Sequence, residues 1–442
     1  MTTEKDMKPR LTLQVAGMLL FLFKSALQAH ANLSAGIIYK VGFAPQSVAT
    51  GDLNGDGKID LVSANYLGNS LSVLTNKGKG DFVLAATIPM NSPSSVAISD
   101  VNGDGKMDLI CANVGNSTLT ILTNNGMGVF VVAATLNVGT HPQVVIAADL
   151  NNDHKPDLIS ASYNNSGSGN TLSVFTNDGS GAFFLASSPA IAGAGYSLAA
   201  GDVNEDGYMD LVNVGGYITV LTNNGEAVFK AAPNAYSPGA PQRVAIADVN
   251  GDGHLDLITA NNANDTISIL TNNGNAAFTI SSSPVVLGGP EAITAADVNG
   301  DGKVDLIVGN IFGSVYADTG LTVLTNDGAG GFSFANKLLV GEPEFIAAAD
   351  FNGDGKTDLA AAGRAFSQVV VLFQVPQLNV SEEGPNLILS SPACWTNWTF
   401  QENSDLSSSN WTPRGVGIND GTNKSLLVPI TNSGKIFRLA PP

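Results

Sequence analysis

The chain has 442 residues, a formal net charge of −18 and a pI near 4.4. Its bases form no patch interleaved with aromatic residues, which argues against a nucleic-acid partner. Two cysteines, Cys111 and Cys394, are too few for a disulfide framework, and no stretch beyond residue 31 is long and apolar enough to span a membrane.

Residues 1–31 have the pattern of a secretory signal peptide. Basic residues up to Arg10 precede an apolar run from Leu11 to Phe23, and Ala29-His30-Ala31 has the form of a cleavage site. The run is short for a membrane-spanning helix, which needs roughly 20 residues, although an uncleaved anchor is the alternative. We expect a mature chain that begins at Asn32 and is secreted, periplasmic or on the cell surface.

A nine-residue segment occurs seven times after this point, and we call its copies the Asp loops. The first copy reads Asp52-Leu-Asn54-Gly-Asp56-Gly57-Lys58-Ile-Asp60. Every copy has Asp, Asn, Asp and Asp at positions one, three, five and nine. Hard oxygen donors at alternate positions, with a backbone carbonyl from position seven, are typical of calcium loops. A single Asp-Gly pair marks only a hairpin turn, but seven copies with four fixed donors favour calcium.

These donors are the predicted ligands of up to seven calcium ions. The candidate residues, loop by loop, are Asp52, Asn54, Asp56, Asp60, Asp100, Asn102, Asp104, Asp108, Asp149, Asn151, Asp153, Asp157, Asp202, Asn204, Asp206, Asp210, Asp248, Asn250, Asp252, Asp256, Asp297, Asn299, Asp301, Asp305, Asp350, Asn352, Asp354 and Asp358. Without residues 1–31 the net charge is −20, and 21 of the remaining 36 acids are the three aspartates of the seven Asp loops. The low pI therefore reflects the predicted metal sites and indicates no basic partner, because clustered carboxylates repel each other without a cation.

Position six of the Asp loops is glycine in every copy except the third. A sharp turn that folds the oxygens inward needs a positive φ, which glycine adopts readily. The third loop has His154 at this position, so we expect its site to be the weakest. Position seven varies among Lys, Tyr and His, as expected if only its carbonyl binds the ion.

The Asp loops recur at intervals of 46 to 53 residues, and the text between them repeats. Periods of this size mean solenoids, propellers or arrays. Each unit contains four short β-branched or alternating apolar segments bounded by Gly, Asn and Pro, which predicts a four-stranded antiparallel blade. The first segment is rich in small residues, as in Ile346-Ala-Ala-Ala349, which suits the crowded inner strand of a propeller.

The two ends of the repeat region indicate a closed ring. The last unit stops after Val369–Phe373 without a fourth strand, whereas residues 36–41 form a spare strand before the first unit. Because the spare strand can complete the last unit, the sequence predicts an all-β, seven-bladed β-propeller rather than an open array.

The repeated text resembles a known family. Asp-Val-Asn-Gly-Asp-Gly-Lys-x-Asp-Leu followed by Leu-Thr-Asn-Asn-Gly-x-Gly-x-Phe is similar to the FG-GAP or VCBS repeat of the integrin α-subunit propeller and of many secreted bacterial proteins. The resemblance covers residues 32–375 and implies that the loop between the first and second strands binds calcium. It implies no ligand, because members of this fold serve adhesion, lectin-like binding and, occasionally, catalysis.

Residues 376–442 differ in composition and contain all three tryptophans. Segments such as Phe400–Leu406 and Ile436–Leu439 resemble a short C-terminal β-sandwich module of large secreted bacterial proteins, although Ser391 stands where that pattern usually has a tryptophan. We expect the tryptophans to form a small core rather than a sugar-binding row. They are Trp395, Trp398 and Trp411.

Candidate catalytic groups are few. His154 and His254 lie inside Asp loops, and His141 has no Ser or Cys partner in a recognisable motif. Glu342 and Glu344 are a carboxylate pair with potential for acid–base chemistry, but adjacent surface glutamates are usually solvated. We expect no catalytic residue.

Strand direction places the Asp loops and the third turns on one face, which we call the loop face, and the other connections on the turn face. The turn-face connections vary more and contain Asn, Tyr and Arg, which suit polar or sugar ligands, with ordinary solvated turns as the alternative. The residues that we expect to contact a partner are Tyr163, Phe312, Tyr316, Arg364 and Phe366.

The sequence thus predicts a secreted calcium-binding propeller that acts as a binding or adhesion module for an extracellular glycan or protein. A propeller enzyme acting on polysaccharide, as a lyase or hydrolase, or its accessory domain, is one alternative. A structural envelope protein is the other.

Overall fold

A computed structural model describes residues 11–14, 33–34, 36–163, 170–232, 236–286, 288–311 and 319–375, and strand segments between 379 and 440. Residues 36–373 form one compact unit. Its strands make seven four-stranded antiparallel sheets, six of them built from one sequence repeat each and the seventh from the last repeat and a strand that precedes the first, so the predicted seven-bladed β-propeller is confirmed.

The strands of each blade follow one another in the chain. Those of blade 1 are Pro45–Gly51, Asp60–Asn65, Ser70–Asn76 and Phe82–Pro89. Those of blade 2 are Pro93–Ser99, Asp108–Asn113, Thr118–Asn124 and Phe130–Asn137. Those of blade 3 are Pro142–Ala148, Asp157–Ser162, Leu172–Asn177 and Phe183–Ser187.

The same order continues around the ring. The strands of blade 4 are Ser197–Gly201, Asp210–Val214, Ile218–Asn223 and Phe229–Ala231. Those of blade 5 are Pro241–Ala247, Asp256–Asn261, Thr266–Asn272 and Phe278–Ser282. Those of blade 6 are Pro290–Ala296, Asp305–Asn310, Gly320–Asn326 and Phe332–Leu338.

Blade 7 contains both ends of the repeat region. Its first three strands are Pro343–Ala349, Asp358–Gly363 and Gln368–Leu372, and its outer strand is Ile37–Lys40. Ile38 pairs antiparallel with Val370, which confirms that the spare strand completes the last blade. Short 3-10 helices, Asn262–Asn264 and Arg364–Phe366, follow the second strands of blades 5 and 7. Among the described residues, no helix has the length and apolar character of a membrane span.

The hydrophobic core lies between neighbouring blades. The second strands are fully buried, because each contacts a blade on either side. One cluster joins Leu61, Leu74 and Phe82 of blade 1 to Phe351 and Val371 of blade 7. Each such apolar side chain contributes about 1.5–3 kcal/mol when it is fully buried. Cys111 belongs to the cluster between blades 1 and 2 and is a buried free thiol, as predicted.

Residues 1–35 and 374–442 form a second unit. One of its sheets has the order Leu11–Gln14, Ile436–Ala440, Thr399–Asn403, Thr412–Arg414. The other has the order Asn379–Glu383, Asn386–Pro392, Asn423–Pro429, Ile418–Asn419. Leu11–Gln14 lies within the predicted signal peptide, whose cleavage stays a prediction, as do the boundaries at residues 32 and 375. The three tryptophans lie outside the described residues.

Candidate metal-binding loops and the turn face

Each Asp loop connects the first strand of a blade to the second and curls around its own first aspartate. In blade 1 the backbone N–H groups of Gly55 and Gly57 donate to the two carboxylate oxygens of Asp52, both at 2.8 Å. The bond from the position-six N–H to Oδ2 of the first Asp occurs in all seven loops, at 2.7 to 2.9 Å. The seven Asp loops therefore adopt the same turn although their sequences differ.

Positions three and five fold back in the same way. The Asp56 N–H donates to Asn54 Oδ1 at 3.0 Å, and the Lys58 N–H donates to Asp56 Oδ1 at 3.1 Å. Such bonds from the backbone two residues on are Asx turns, and both recur in every Asp loop. Each of these oxygens accepts N–H groups and retains lone pairs, so the donor chemistry fits a hard cation such as calcium.

Position six has a positive φ in all seven loops, as the sequence predicts. Gly57 has φ 77°, and His154 in the third loop has φ 63° despite its side chain. Position four also has a positive φ, which the sequence analysis missed. It is glycine in five loops but Asn152 and Glu205 in the third and fourth, with φ 57° and 62°. A recurrent Gly at this position was the available signal.

The ninth aspartate is placed differently from the other three donors. Its side chain is fully buried in all seven blades. In blade 1 the Leu53 N–H donates to Asp60 Oδ2 at 3.0 Å, and the Asn76 N–H donates to Oδ1 at 2.7 Å. The first bond recurs in all blades and the second in blades 1 to 6. The ninth carboxylate thus connects the Asp loop to the end of the third strand by hydrogen bonds, and this role is separate from any part in metal binding.

In blades 1 to 6, burial raises the pKa of the ninth carboxyl above the ordinary aspartate value, and the neighbouring loop aspartates raise it further. The pKa of Asp210 rises to about 6 and that of Asp305 to about 7. The hydrogen bonds from backbone N–H groups act in the opposite direction. Negative charge without a cation is therefore unfavourable here, which is the electrostatic condition that a bound cation relieves.

In blades 1 to 6, an asparagine at the end of the third strand links the blade to its predecessor in the ring. In blade 2 the Asn124 Nδ2 donates to the carbonyl of Leu53 in the Asp loop of blade 1, at 2.8 Å, and to the carbonyl of Met107 in its own loop, at 2.9 Å. Asn76 makes the equivalent bond to Phe351, from blade 1 to blade 7. We call these residues the Asn clamps; the others are Asn177, Asn223, Asn272 and Asn326.

Position seven is less free than the sequence suggested. Lys106 and Tyr208 lie against a glycine of the third turn of their own blade, Gly126 and Gly225, where a β-carbon would clash with them. In blade 1 the Lys58 Nζ also forms a salt bridge with Asp56 Oδ2 at 2.8 Å, and this hydrogen bond lowers the pKa of the Asp56 carboxyl. A calcium ion at Asp56 would compete with this lysine.

The structure therefore places positions one, three and five of each predicted site in one turn, held by backbone N–H groups, and gives the ninth position a structural role. Within the described part of the chain, no three or more His, Cys, Asp or Glu side chains form a group that could hold a metal. Calcium binding by the 28 candidate residues stays a prediction.

The turn face surrounds one end of a central cavity. The cavity has a volume of about 460 Å³ and is lined by the first strands of all seven blades, which confirms that these strands are innermost. Four charged residues stand together on the side formed by blades 5 to 7. Arg364 Nη1 is 2.6 Å from Glu344 Oε1, and Glu291 accepts a hydrogen bond from Asn262 at 3.0 Å. Arg243 completes the group. Burial raises the pKa of Glu291, and the charge of Arg243 offsets part of this rise.

Of the five residues that we expected to contact a partner, three are described. Tyr163 packs against Tyr196 with ring centroids 5.4 Å apart. Arg364 forms the ion pair with Glu344, and Phe366 is 55% exposed. Phe312 and Tyr316 lie outside the described residues.

Comparison with protein families decides the classification of the repeats. The FG-GAP-like repeat matches residues 52–111, 100–160, 149–213 and 248–308, and the FG-GAP repeat matches residues 343–372. The chain belongs to the FG-GAP repeat family. The first four matches begin at an Asp loop and extend into the second strand of the following blade. An FG-GAP match thus spans two blades, as the Asn clamps do.

Solved structures similar to this FG-GAP protein share its fold at low sequence identity. BBS1N, crystallised in complex with ARL6DN, has a TM-score of 0.55 and 14% identity over 78% of this chain and 97% of its own. A functionally unknown protein from Desulfotomaculum acetoxidans has a TM-score of 0.52 and 13% identity, over 71% of this chain and 92% of its own. Saccharomyces cerevisiae Sqt1 has a TM-score of 0.51 and 11% identity, over 79% of this chain and 100% of its own. No curated protein matches the chain in sequence.

Proposed function

We propose that this FG-GAP propeller is a non-catalytic binding module that works outside the cytoplasm, is stabilised by calcium in its Asp loops, and binds an extracellular protein or glycan with its turn face. The difference between the two faces carries this proposal. The loop face repeats one turn seven times. The turn face has a different connection in each blade, with exposed aromatic residues beside ion-paired acids.

Two observations favour a protein partner without enzymatic activity. BBS1N, which shares the fold, was crystallised in complex with ARL6DN, a precedent for protein binding on this scaffold. Glu344, one of the two glutamates considered for acid–base chemistry, is buried and held by Arg364. Its oxygen is already bonded to a guanidinium, which suits a structural role better than proton transfer.

The turn-face assignment is tested with two matched triple variants on protein and glycan arrays. Tyr163, Arg364 and Phe366 are replaced by alanine in the test variant, and exposed Phe184, Lys230 and Phe334 of the outer strands are replaced in the control. We expect the test variant to lose binding at least tenfold and the control to retain it. Both should keep calcium-dependent melting, although the loss of Arg364 leaves the buried Glu344 carboxylate unpaired and lowers the melting temperature of the test variant. Equal binding by both variants would move the site away from the turn face.

The calcium assignment is tested by chelation. A ligand that binds only the folded chain stabilises it by about 2.7 kcal/mol per site at a hundredfold excess over its dissociation constant. We therefore expect excess chelator to lower the melting temperature by many degrees and calcium to restore it. A melting curve that chelator leaves unchanged would mean that the Asp loops are hairpin turns without a metal.

A further inference from the structure

The central cavity lies toward the turn face and changes in polarity with depth. Its lining begins at the second residue of the first strand in blades 1, 2, 3 and 7, such as Gln46, and stops short of the last residue of every first strand, where the Asp loop follows. Gln46, Gln143, Arg243 and Glu344 form a polar rim next to the turn face. The half-buried side chains below the rim are apolar, and they include Ala97, Val144, Ile146, Ala245 and Ile293.

Arg243 forms no salt bridge among the described residues, although its charge acts on the nearby Glu291. Its Nη1 donates to the backbone carbonyls of Tyr196 and Gln242 at 3.2 and 3.3 Å, which holds the half-buried guanidinium in place. Glu344 is engaged by Arg364, and Glu291 is bonded by Asn262. The Nε and Nη2 groups of Arg243 therefore remain as a planar donor fork at the rim, and such forks bind carboxylates through two parallel bonds.

We propose that the cavity binds a carboxylate carried by an apolar group, and that its source is the C-terminal residue of an extended peptide. This deepens the proposed function, since it names the part of a protein partner that the turn face recognises. The terminal carboxylate bonds to Arg243, and the apolar side chain enters the cavity below. The amides of Gln46 and Gln143 can pair with the peptide backbone. A uronic acid also has a carboxylate, but the apolar walls would leave its ring hydroxyls unpaired at a desolvation cost.

Calorimetric titration of the full chain tests this with three probes: acetyl-Gly-Gly-Val with a free carboxylate, the same peptide as its amide, and glucuronate. We expect the free acid to bind at least tenfold more tightly than the amide or glucuronate. Equal binding of acid and amide would overturn the proposal, and tighter binding of glucuronate would overturn the peptide source.

Four variants assign the contact. Arg243→Gln should weaken binding of the free-acid peptide at least tenfold, and Arg243→Lys, which keeps the charge without the fork, should weaken it less. Ala245→Leu should weaken it by narrowing the cavity with Arg243 intact. Lys230→Gln, on an exposed outer strand, should leave it unchanged.

Unfolded variants are recognised by their melting curves, and Ala245→Leu and Arg243→Lys keep the test decisive if Arg243→Gln does not fold. Unchanged affinity in folded Arg243→Gln would overturn the proposal. If the free-acid peptide shows no preference over its amide but the Tyr163, Arg364 and Phe366 variant still loses partner binding, the carboxylate site is rejected. The proposal that the turn face binds a partner would then still stand.

Discussion

At the scale of single residues, the Asp loops show how one backbone conformation accommodates different side chains. Position six needs a positive φ in every blade, and His154 adopts it at 63° because the Asp149 carboxylate accepts its N–H at 2.8 Å. Glu205 likewise adopts a positive φ, of 62°, at position four of the fourth loop. A residue with a β-carbon in this region costs on the order of 1 kcal/mol. Backbone strain in the third and fourth loops therefore makes the free energy of folding less favourable.

We predict that His154→Gly tightens calcium binding at the third site about fivefold without changing the number of ions bound, because it removes a strain of about 1 kcal/mol. Pro156, which stiffens the loop, offsets part of that strain in the parent. Calorimetric titration measures both quantities. Gly57→His is the matched reverse variant, because a β-carbon at Gly57 meets nothing within 4 Å and adds only backbone strain. A third site that is unchanged or weaker in His154→Gly would contradict this account.

A second residue-scale prediction separates the two roles of the ninth aspartate. Asp60→Asn replaces one oxygen by an N–H₂ group and leaves a buried N–H of Leu53 or Asn76 without an acceptor, which costs about 1–3 kcal/mol. We expect this loss in the free energy of unfolding both with calcium and in chelator, measured by urea denaturation. If Asp60 acted only as a metal ligand, the variant and the parent would be equally stable in chelator.

At the scale of elements, the strands and their order could be predicted because each repeat contains its own strand and turn signals. The strand pattern of the last unit even located its missing fourth strand at residues 36–41, which the pairing of Ile38 with Val370 confirms. The Asn clamps could not be assigned from the same pattern. The recurrence of Leu-Thr-Asn shows that the position matters, but Asn124 and Leu53 are 71 residues apart, and a repeat does not say which neighbour it contacts.

We predict that Asn124→Ala destabilises the propeller by about 2 kcal/mol, because the buried carbonyl of Leu53 and the partly buried carbonyl of Met107 lose their donor. Asn125→Ala is the matched control, since Asn125 lies next to it in an exposed turn and accepts a bond only from the local backbone. Urea denaturation gives both values. A cost for Asn124→Ala no larger than that for Asn125→Ala would show that the clamp adds nothing between blades.

At the scale of the whole molecule, the ring is closed by non-covalent contacts between distant parts of the chain. Ile37–Lys40 pairs with Gln368–Leu372, and Asn76 bonds to Phe351 across 275 residues. Tyr39 of the closing strand donates its hydroxyl to the Gly80 carbonyl at 2.9 Å and packs edge-on against Phe82, both in blade 1. The closing strand thus belongs to blade 7 in its pairing and contacts blade 1 with its side chains.

The last prediction compares a chain that begins at Gly36 with one that begins at Gly42. The longer chain keeps the closing strand and the shorter one lacks it, so the two chains differ only in residues 36–41, which contain this strand. Without that strand, the fully buried Gln368–Leu372 becomes an edge with unpaired backbone groups and valine side chains open to water. We expect the shorter chain to melt at a lower temperature and to aggregate in light scattering, while the longer one stays monodisperse. Equal melting temperatures for the two chains would show that blades 1 to 6, with a three-stranded blade 7, hold the ring without closure.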